Sequence, residues 1–92
     1  MAKRVGEDTQ DRNEAVARSI NWVPDLNGAT ISSVSWATSG LTSESETLNA
    51  ALTVASIRLS GGVPGRQYVV TCRVTTSQSE TLEAEFVLDI ND

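Results

Sequence analysis

Few residues in this chain are of the types that perform enzyme chemistry: its 92 residues include one cysteine and no histidine. Without histidine, the sequence has no Ser-His-Asp or Cys-His arrangement and no histidine-ligated metal site. Tyr68, Cys72 and Val74 are separated by even numbers of residues in a segment with the two-residue period of a β-strand, so their side chains share one face. That face is apolar, and we expect Cys72 to be a buried, unreactive thiol. The sequence therefore predicts no catalytic residue and no enzyme.

A second group with chemical potential is the set of carboxylates near the end of the chain. Glu83, Glu85 and Asp89 fall on one face of the last predicted strand, where neighbours of the same face are about 6.5–7 Å apart. Calcium needs about six to eight oxygen ligands, and no Asp-rich loop supplies the rest. A glycosidase pair would need a cleft that so small a domain rarely has. We expect no metal and no cofactor, and interpret this face as a solvated surface or as a docking patch for a basic partner.

The glycine-rich stretch at residues 61–65, GGVPG, resembles a phosphate-binding loop only superficially. It lacks the Lys-Ser/Thr ending, and it precedes a predicted strand rather than a helix whose N-terminus would bind an anion. Glycines in such a connection permit positive φ angles. We expect Tyr68 to hydrogen-bond through its hydroxyl to the backbone of this loop, as in a tyrosine corner.

The composition excludes several kinds of partner. The net charge is −5 and no basic stripe is present, so we expect no nucleic-acid partner. No run approaches the roughly 20 apolar residues that span a bilayer, and the N-terminal stretch lacks the apolar core of a signal peptide, so we expect no membrane partner. A single cysteine excludes an internal disulfide. These features predict a domain that is made in, and stays in, a reducing cytoplasm.

The chain divides into two parts. Residues 1–15 are charged and polar without periodicity, which predicts a flexible N-terminal arm. In residues 16–92, six or seven short strands separated by turns predict a small antiparallel immunoglobulin-like β-sandwich, with a small barrel as the alternative. This is an all-β fold class. The predicted structural core comprises Trp22, Trp36, Tyr68, Cys72 and Phe86.

Within the sandwich, the pattern varies in strength. Ile31 is out of phase with Val34 and Trp36, which predicts a bulge near residues 32–33. Residues 38–47 are interpreted as a loop that contains at most a short edge strand, and residues 48–60 as one bent strand or two short ones.

The strongest alternation lies in residues 66–75 and 82–90, which are joined by a turn at residues 77–80. We expect these two segments to form a hairpin.

Two stretches resemble a known family: ATISSVSW at residues 29–36, and LSGGVPGRQYVVTCRVTTS at residues 59–77. The chain is similar over about residues 16–90 to small virion proteins of tailed bacteriophages, described as fibre–tail adaptor or neck-region proteins. It departs from their pattern at Gln78-Ser79, where a glycine is usual, and at Ile20-Asn21-Trp22, which lacks the usual aspartate.

The resemblance implies a structural protein of the virion, assembled in the host cytoplasm and present in multiple symmetric copies. It would join other phage virion proteins of the neck, tail, fibre or capsid. The alternatives are a capsid decoration (cement) protein and, in another class, a carbohydrate-binding module of a host-recognition structure. Binding would use the arm, an exposed sheet edge and the acidic last strand, so the candidate partner-binding residues are Lys3, Arg4, Arg12, Glu83, Glu85 and Asp89. Deleting residues 1–15 should then leave a folded monomer that fails to enter particles.

Overall fold

The computed structural model describes residues 3–91, which form seven strands and one short helix. These are β1 (Lys3–Asp11), β2 (Val16–Asn21), α1 (Val23–Leu26), β3 (Ile31–Ala37), β4 (Thr42–Leu48), β5 (Val54–Ser60), β6 (Gln67–Thr76) and β7 (Thr81–Asn91). Within this range, no helix has the length and apolar character needed to cross a membrane.

The strands form two sheets packed face to face. One has the order β1-β7-β6-β3 and the other β2-β5-β4. This confirms the predicted all-β sandwich. The arrangement is the seven-strand immunoglobulin one, except that the first strand joins the sheet of the last strand. Neighbouring strands are antiparallel, as predicted, apart from β1, which runs parallel to β7.

The segment expected to be a flexible arm is largely strand β1. Lys3–Asp11 pairs with β7 from Ala84 to Asn91, and the register shifts once, between Arg4 and Gly6. The folded domain therefore begins well before residue 16. The sequence did not predict β1 because an exposed edge strand is held mainly by backbone hydrogen bonds. Such a strand does not need alternating apolar side chains.

The core lies between the two sheets. Trp22, Cys72 and Phe86 are buried, whereas Trp36 and Tyr68 are half-buried and pack against the buried cluster. Aliphatic side chains of β5, β6 and β7 fill most of the remaining interior: Ile57, Leu59, Val70, Val74, Leu88 and Ile90.

The bulge predicted from the phase of Ile31 is present in β3. The register of β3 against β6 shifts between Ile31 and Ser33, and the Ser32 hydroxyl donates to the carbonyl of Thr75 at 2.9 Å. The extra residue lets Ile31 point into the core while Val34 keeps its own inward position.

Residues 38–60 contain more regular structure than predicted. The stretch expected to be mostly loop holds the seven-residue edge strand β4. In residues 48–60, which were expected to be one bent strand or two short ones, Leu48 ends β4, a turn follows, and residues 54–60 are the single strand β5, which pairs with β4 in a hairpin. The connection turns at Leu52, whose φ is 57°. The side-chain oxygen of Asn49 accepts hydrogen bonds from the backbone of Thr53 and Val54, at 2.8 and 3.0 Å. These bonds fix the hairpin turn.

Candidate interaction surfaces

The glycine-rich loop between β5 and β6 is a tyrosine corner. The backbone N–H of Val63 donates to the Tyr68 hydroxyl at 2.7 Å. Two further backbone bonds tie the loop to the end of β7: Gly65 N–H to the carbonyl of Ile90 at 2.8 Å, and Ile90 N–H to the carbonyl of Arg66 at 3.1 Å. The loop's polar groups therefore serve the fold, as the sequence predicted.

Two glycines pack against the ring of Tyr68, and neither can be replaced without strain. Gly40 and Gly62 have φ angles of +92° and +94°. A Cβ at Gly40 would lie 2.5 Å from Cε1 of Tyr68, and one at Gly62 would lie 2.7 Å from Cγ1 of Ile90. The glycines are thus explained by close packing and left-handed backbone, with no need for a ligand.

The single thiol is sealed in the core. Cys72 is 0% exposed, and burial raises its pKa to about 12, while a hydrogen bond from Trp22 acts in the opposite direction. At neutral pH the thiolate, which is the nucleophilic form, is essentially unpopulated.

The acidic face belongs to an interior strand of its sheet. Strand β7 lies between β1 and β6, so its backbone offers no free edge. Glu83 faces Arg73 across the β6–β7 hairpin, and the guanidinium Nε donates to the Glu83 carboxylate at 2.6 Å. Its charge is therefore already engaged within the chain. Glu85 is half-buried and lies between Arg4 of β1 and Thr71 of β6 in the register.

Asp89 has a different environment from the other two carboxylates. It lies between Thr9 of β1 and Gln67 of β6. Its Oδ1 atom is buried and has no hydrogen-bond partner within the described part of the chain. The residue lines a cleft of about 520 Å³, whose other lining residues are Thr9, Gly65, Arg66, Gln67, Ile90 and Asn91. This carboxylate oxygen has an unused capacity to accept a hydrogen bond.

The predicted arm and the predicted acidic strand are neighbours in one sheet. Lys3 pairs with Ala84 and Arg4 with Glu85 along the parallel ladder, although the side chains of Lys3 and Arg4 lie outside the described part of the structure. Arg12 is exposed just after β1, and its backbone N–H donates to the carbonyl of Asn91 at 2.8 Å. The six candidate residues thus follow two adjacent strands, instead of a separate arm and domain.

A polar network that the sequence did not predict connects β1 of one sheet to β2 and β5 of the other. Gln10 is 2% exposed, and its Nε2 donates to the carbonyls of Leu59 and Glu14, at 2.9 and 2.8 Å. Arg18, whose side chain is 12% exposed, donates to Oε1 of Gln10 at 2.5 Å and pairs with Asp8 at 2.9 Å. A hydrogen bond from the Thr9 backbone, followed by the bond from Arg18, lowers the pKa of Asp8.

Within residues 3–91, no three histidine, cysteine or acidic side chains come together in a way that could hold a metal ion. The features of the described residues that could contact a partner include the cleft at Asp89, a smaller cleft beside Asp8 and Arg18, and the free edges of the two sheets.

One family model matches this chain, over residues 10–89, and its description is "Podophage GP4 fiber-tail adaptor protein gp77". A comparison with curated proteins finds no match. The matched region runs from the end of β1 to near the end of β7 and includes the tyrosine corner and both sheets. The chain belongs to the podophage fiber-tail adaptor family.

Proposed function

We propose that this chain is a non-enzymatic component of the phage particle that joins tail and fibre proteins in the neck or tail region through protein–protein contacts. The family match over residues 10–89 is the observation that carries this proposal. The burial and raised pKa of Cys72, together with the absence of histidine from the sequence, support a non-catalytic role. The protein enters the particle in several copies, during assembly in the host cytoplasm.

Cross-linking of purified virions, followed by mass spectrometry, tests this role. We expect cross-links from this chain to tail and fibre proteins. Absence of the protein from purified particles, or cross-links confined to the major capsid protein, would contradict an adaptor function.

The partner contact lies at the Asp89 cleft. A buried carboxylate oxygen without a partner carries a desolvation penalty of about 1–3 kcal/mol, which a bound donor would relieve when the half-buried Asp89 side chain turns toward the cleft. A lysine or arginine from the partner would supply a charge-assisted bond. Glu83 is a weaker candidate because Arg73 already holds its carboxylate.

The contact is tested by Asp89→Asn, which keeps the size of the side chain and removes its charge. The matched control is Glu83→Gln, on the same strand and the same sheet face. We expect Asp89→Asn to lower incorporation into virions by about tenfold or more, because loss of one partner of a buried charge pair typically costs 2–5 kcal/mol, while Glu83→Gln incorporates normally. Both variants must first show native thermal unfolding. Normal incorporation of folded Asp89→Asn would refute this contact.

A further inference from the structure

The two sheets present four edge strands, which differ in how well they are protected against pairing with another chain. These are β1 and β3 in one sheet, and β2 and β4 in the other. Natural edge strands avoid such pairing through charged residues, bulges or a covering element.

Three of the edges carry charged residues. Strand β1 is rich in charged residues and has a register shift. Strand β2 contains Arg18, which pairs with Asp8 of β1 across the side of the sandwich. Strand β4 contains Glu44 and Glu46 and has a bulge between residues 43 and 45.

Strand β3 also has a register shift, between Ile31 and Ser33, but it is the edge strand that carries no charge. Its sequence, ISSVSWA, contains no charged residue and no proline, and its pairing with β6 is regular from Ser33 to Ala37. On the inner side of this strand, Val34 and Trp36 are only half-buried. Nε1 of Trp36 and Oγ1 of Thr38 are buried atoms without a hydrogen-bond partner in the described chain.

We propose that the free edge of β3 pairs antiparallel with β3 of a second copy, giving one sheet that continues through both copies. Self-pairing of identical strands brings like side chains together, and like charges placed opposite each other are destabilising. Self-pairing of β4 would bring its glutamates together, whereas the uncharged β3 has no such penalty. The choice of a second copy rests on this charge argument.

Pairing of the two β3 strands would also bury apolar side chains that are partly exposed in the single copy. A neighbouring strand would cover the partly exposed side chains of Val34 and Trp36. The outward residues Ser33, Ser35 and Ala37 are small, so they leave the approach of a second sheet edge open. The net charge of −5 opposes association at long range, so we expect salt to strengthen it.

Sedimentation equilibrium of the purified protein, from micromolar to millimolar concentration, tests the proposal. We expect a reversible dimer that is favoured by added sodium chloride. Ser35→Lys should be monomeric over the whole range, because a lysine on each copy would crowd the shared edge. Ser45→Lys, the same change on the β4 edge, should dimerise as the parent does.

A cross-linking experiment gives an independent readout. Because Cys72 is buried, a cysteine introduced by Ser35→Cys is the accessible thiol. Mild oxidation should yield a disulfide-linked dimer, and Thr47→Cys on β4 should not. A parent protein that stays monomeric at millimolar concentration, or a dimer that persists in folded Ser35→Lys, would overturn the proposal. Neither result bears on whether the chain occurs in virions beside tail and fibre proteins, which tests the adaptor function separately.

Discussion

Gln10 links β1 to the opposite sheet, through Leu59 of β5 and Arg18 of β2, and its replacement is a sharp test of that link. Replacing it with alanine removes two donated hydrogen bonds and one accepted from a guanidinium. A neutral bond contributes about 0.5–1.5 kcal/mol net, and a bond to a charged group about 1.5–3 kcal/mol. Part of this is recovered, since the carbonyl of Glu14 and the head of Arg18 can reach water.

The carbonyl of Leu59 cannot recover in this way. Its bond with Gln10 is buried and Leu59 is 0% exposed, so the orphaned acceptor keeps a desolvation cost of about 1–3 kcal/mol. We therefore expect Gln10→Ala to lower the free energy of unfolding by about 2–4 kcal/mol. For a domain of this size, that corresponds to a fall in the melting temperature of about 10–25 °C.

Chemical denaturation and thermal unfolding measure this change, and hydrogen exchange locates it in β1. Thr9→Ala is the matched control because Thr9 is the exposed neighbour of Gln10, and it should cost less than about 0.5 kcal/mol. If Gln10→Ala were no more destabilising than Thr9→Ala, β1 would not be bound through this network. The earlier expectation for deletion of residues 1–15 also changes: removal of β1 should destabilise the domain itself.

Three further predictions concern the corner, the thiol and the acid response. Gly62→Ala should destabilise by about 2–4 kcal/mol through backbone strain and contact with Ile90, whereas Gly28→Ala, with a similar φ but open space around it, should cost only about 1 kcal/mol by denaturant titration. Burial raises the pKa of Cys72 from 9.0 to about 12, so the protonated thiol contributes fully to the free energy of unfolding below about pH 9, and this contribution is lost as the pH rises towards 12. The free energy of unfolding of Cys72→Ala should therefore fall less steeply with pH in this range. The pKa of Asp8 is lowered below 3.8, so its contribution is present above that pH and lost in stronger acid; Asp8→Asn should reduce the acid dependence slightly, as measured by unfolding midpoints.

The parts of the fold that the sequence predicted well are those in which one face of a strand is buried. Alternation with a period of two residues predicted the β6–β7 hairpin. Ile31, which is out of phase with its neighbours, predicted the bulge in β3, and the glycine-rich turn predicted the hydrogen bond of the Tyr68 hydroxyl. The same hairpin register places Arg73 opposite Glu83. The ion pair between Arg73 and Glu83 could therefore have been predicted from the sequence, because the position of the turn at residues 77–80 sets the register of the hairpin.

Strand β1, which was expected to be a flexible arm, and strand β4, which was expected at most as a short edge strand, have few buried side chains. In β4 most side chains are exposed on both faces, and Gln10 is the buried residue among Gly6–Asp11 of β1, so neither strand alternates. The Asp89 cleft was also beyond a linear pattern, because Thr9 and Gln67 come from distant parts of the chain. Side-chain type alone did not separate the engaged carboxylate of Glu83 from the buried one of Asp89.

The parallel pairing of β1 with β7 has a mechanical consequence. Lys3 and Asn91 lie at opposite ends of the paired strands, about 27 Å apart at 3.3 Å per residue. Tension applied at these two residues would pull β1 and β7 in opposite directions along their length. The hydrogen bonds between them would then share the load together and could not open one after another. If the proposed adaptor bears a load between these two residues, the load would act on this pairing in shear, which is its most resistant geometry.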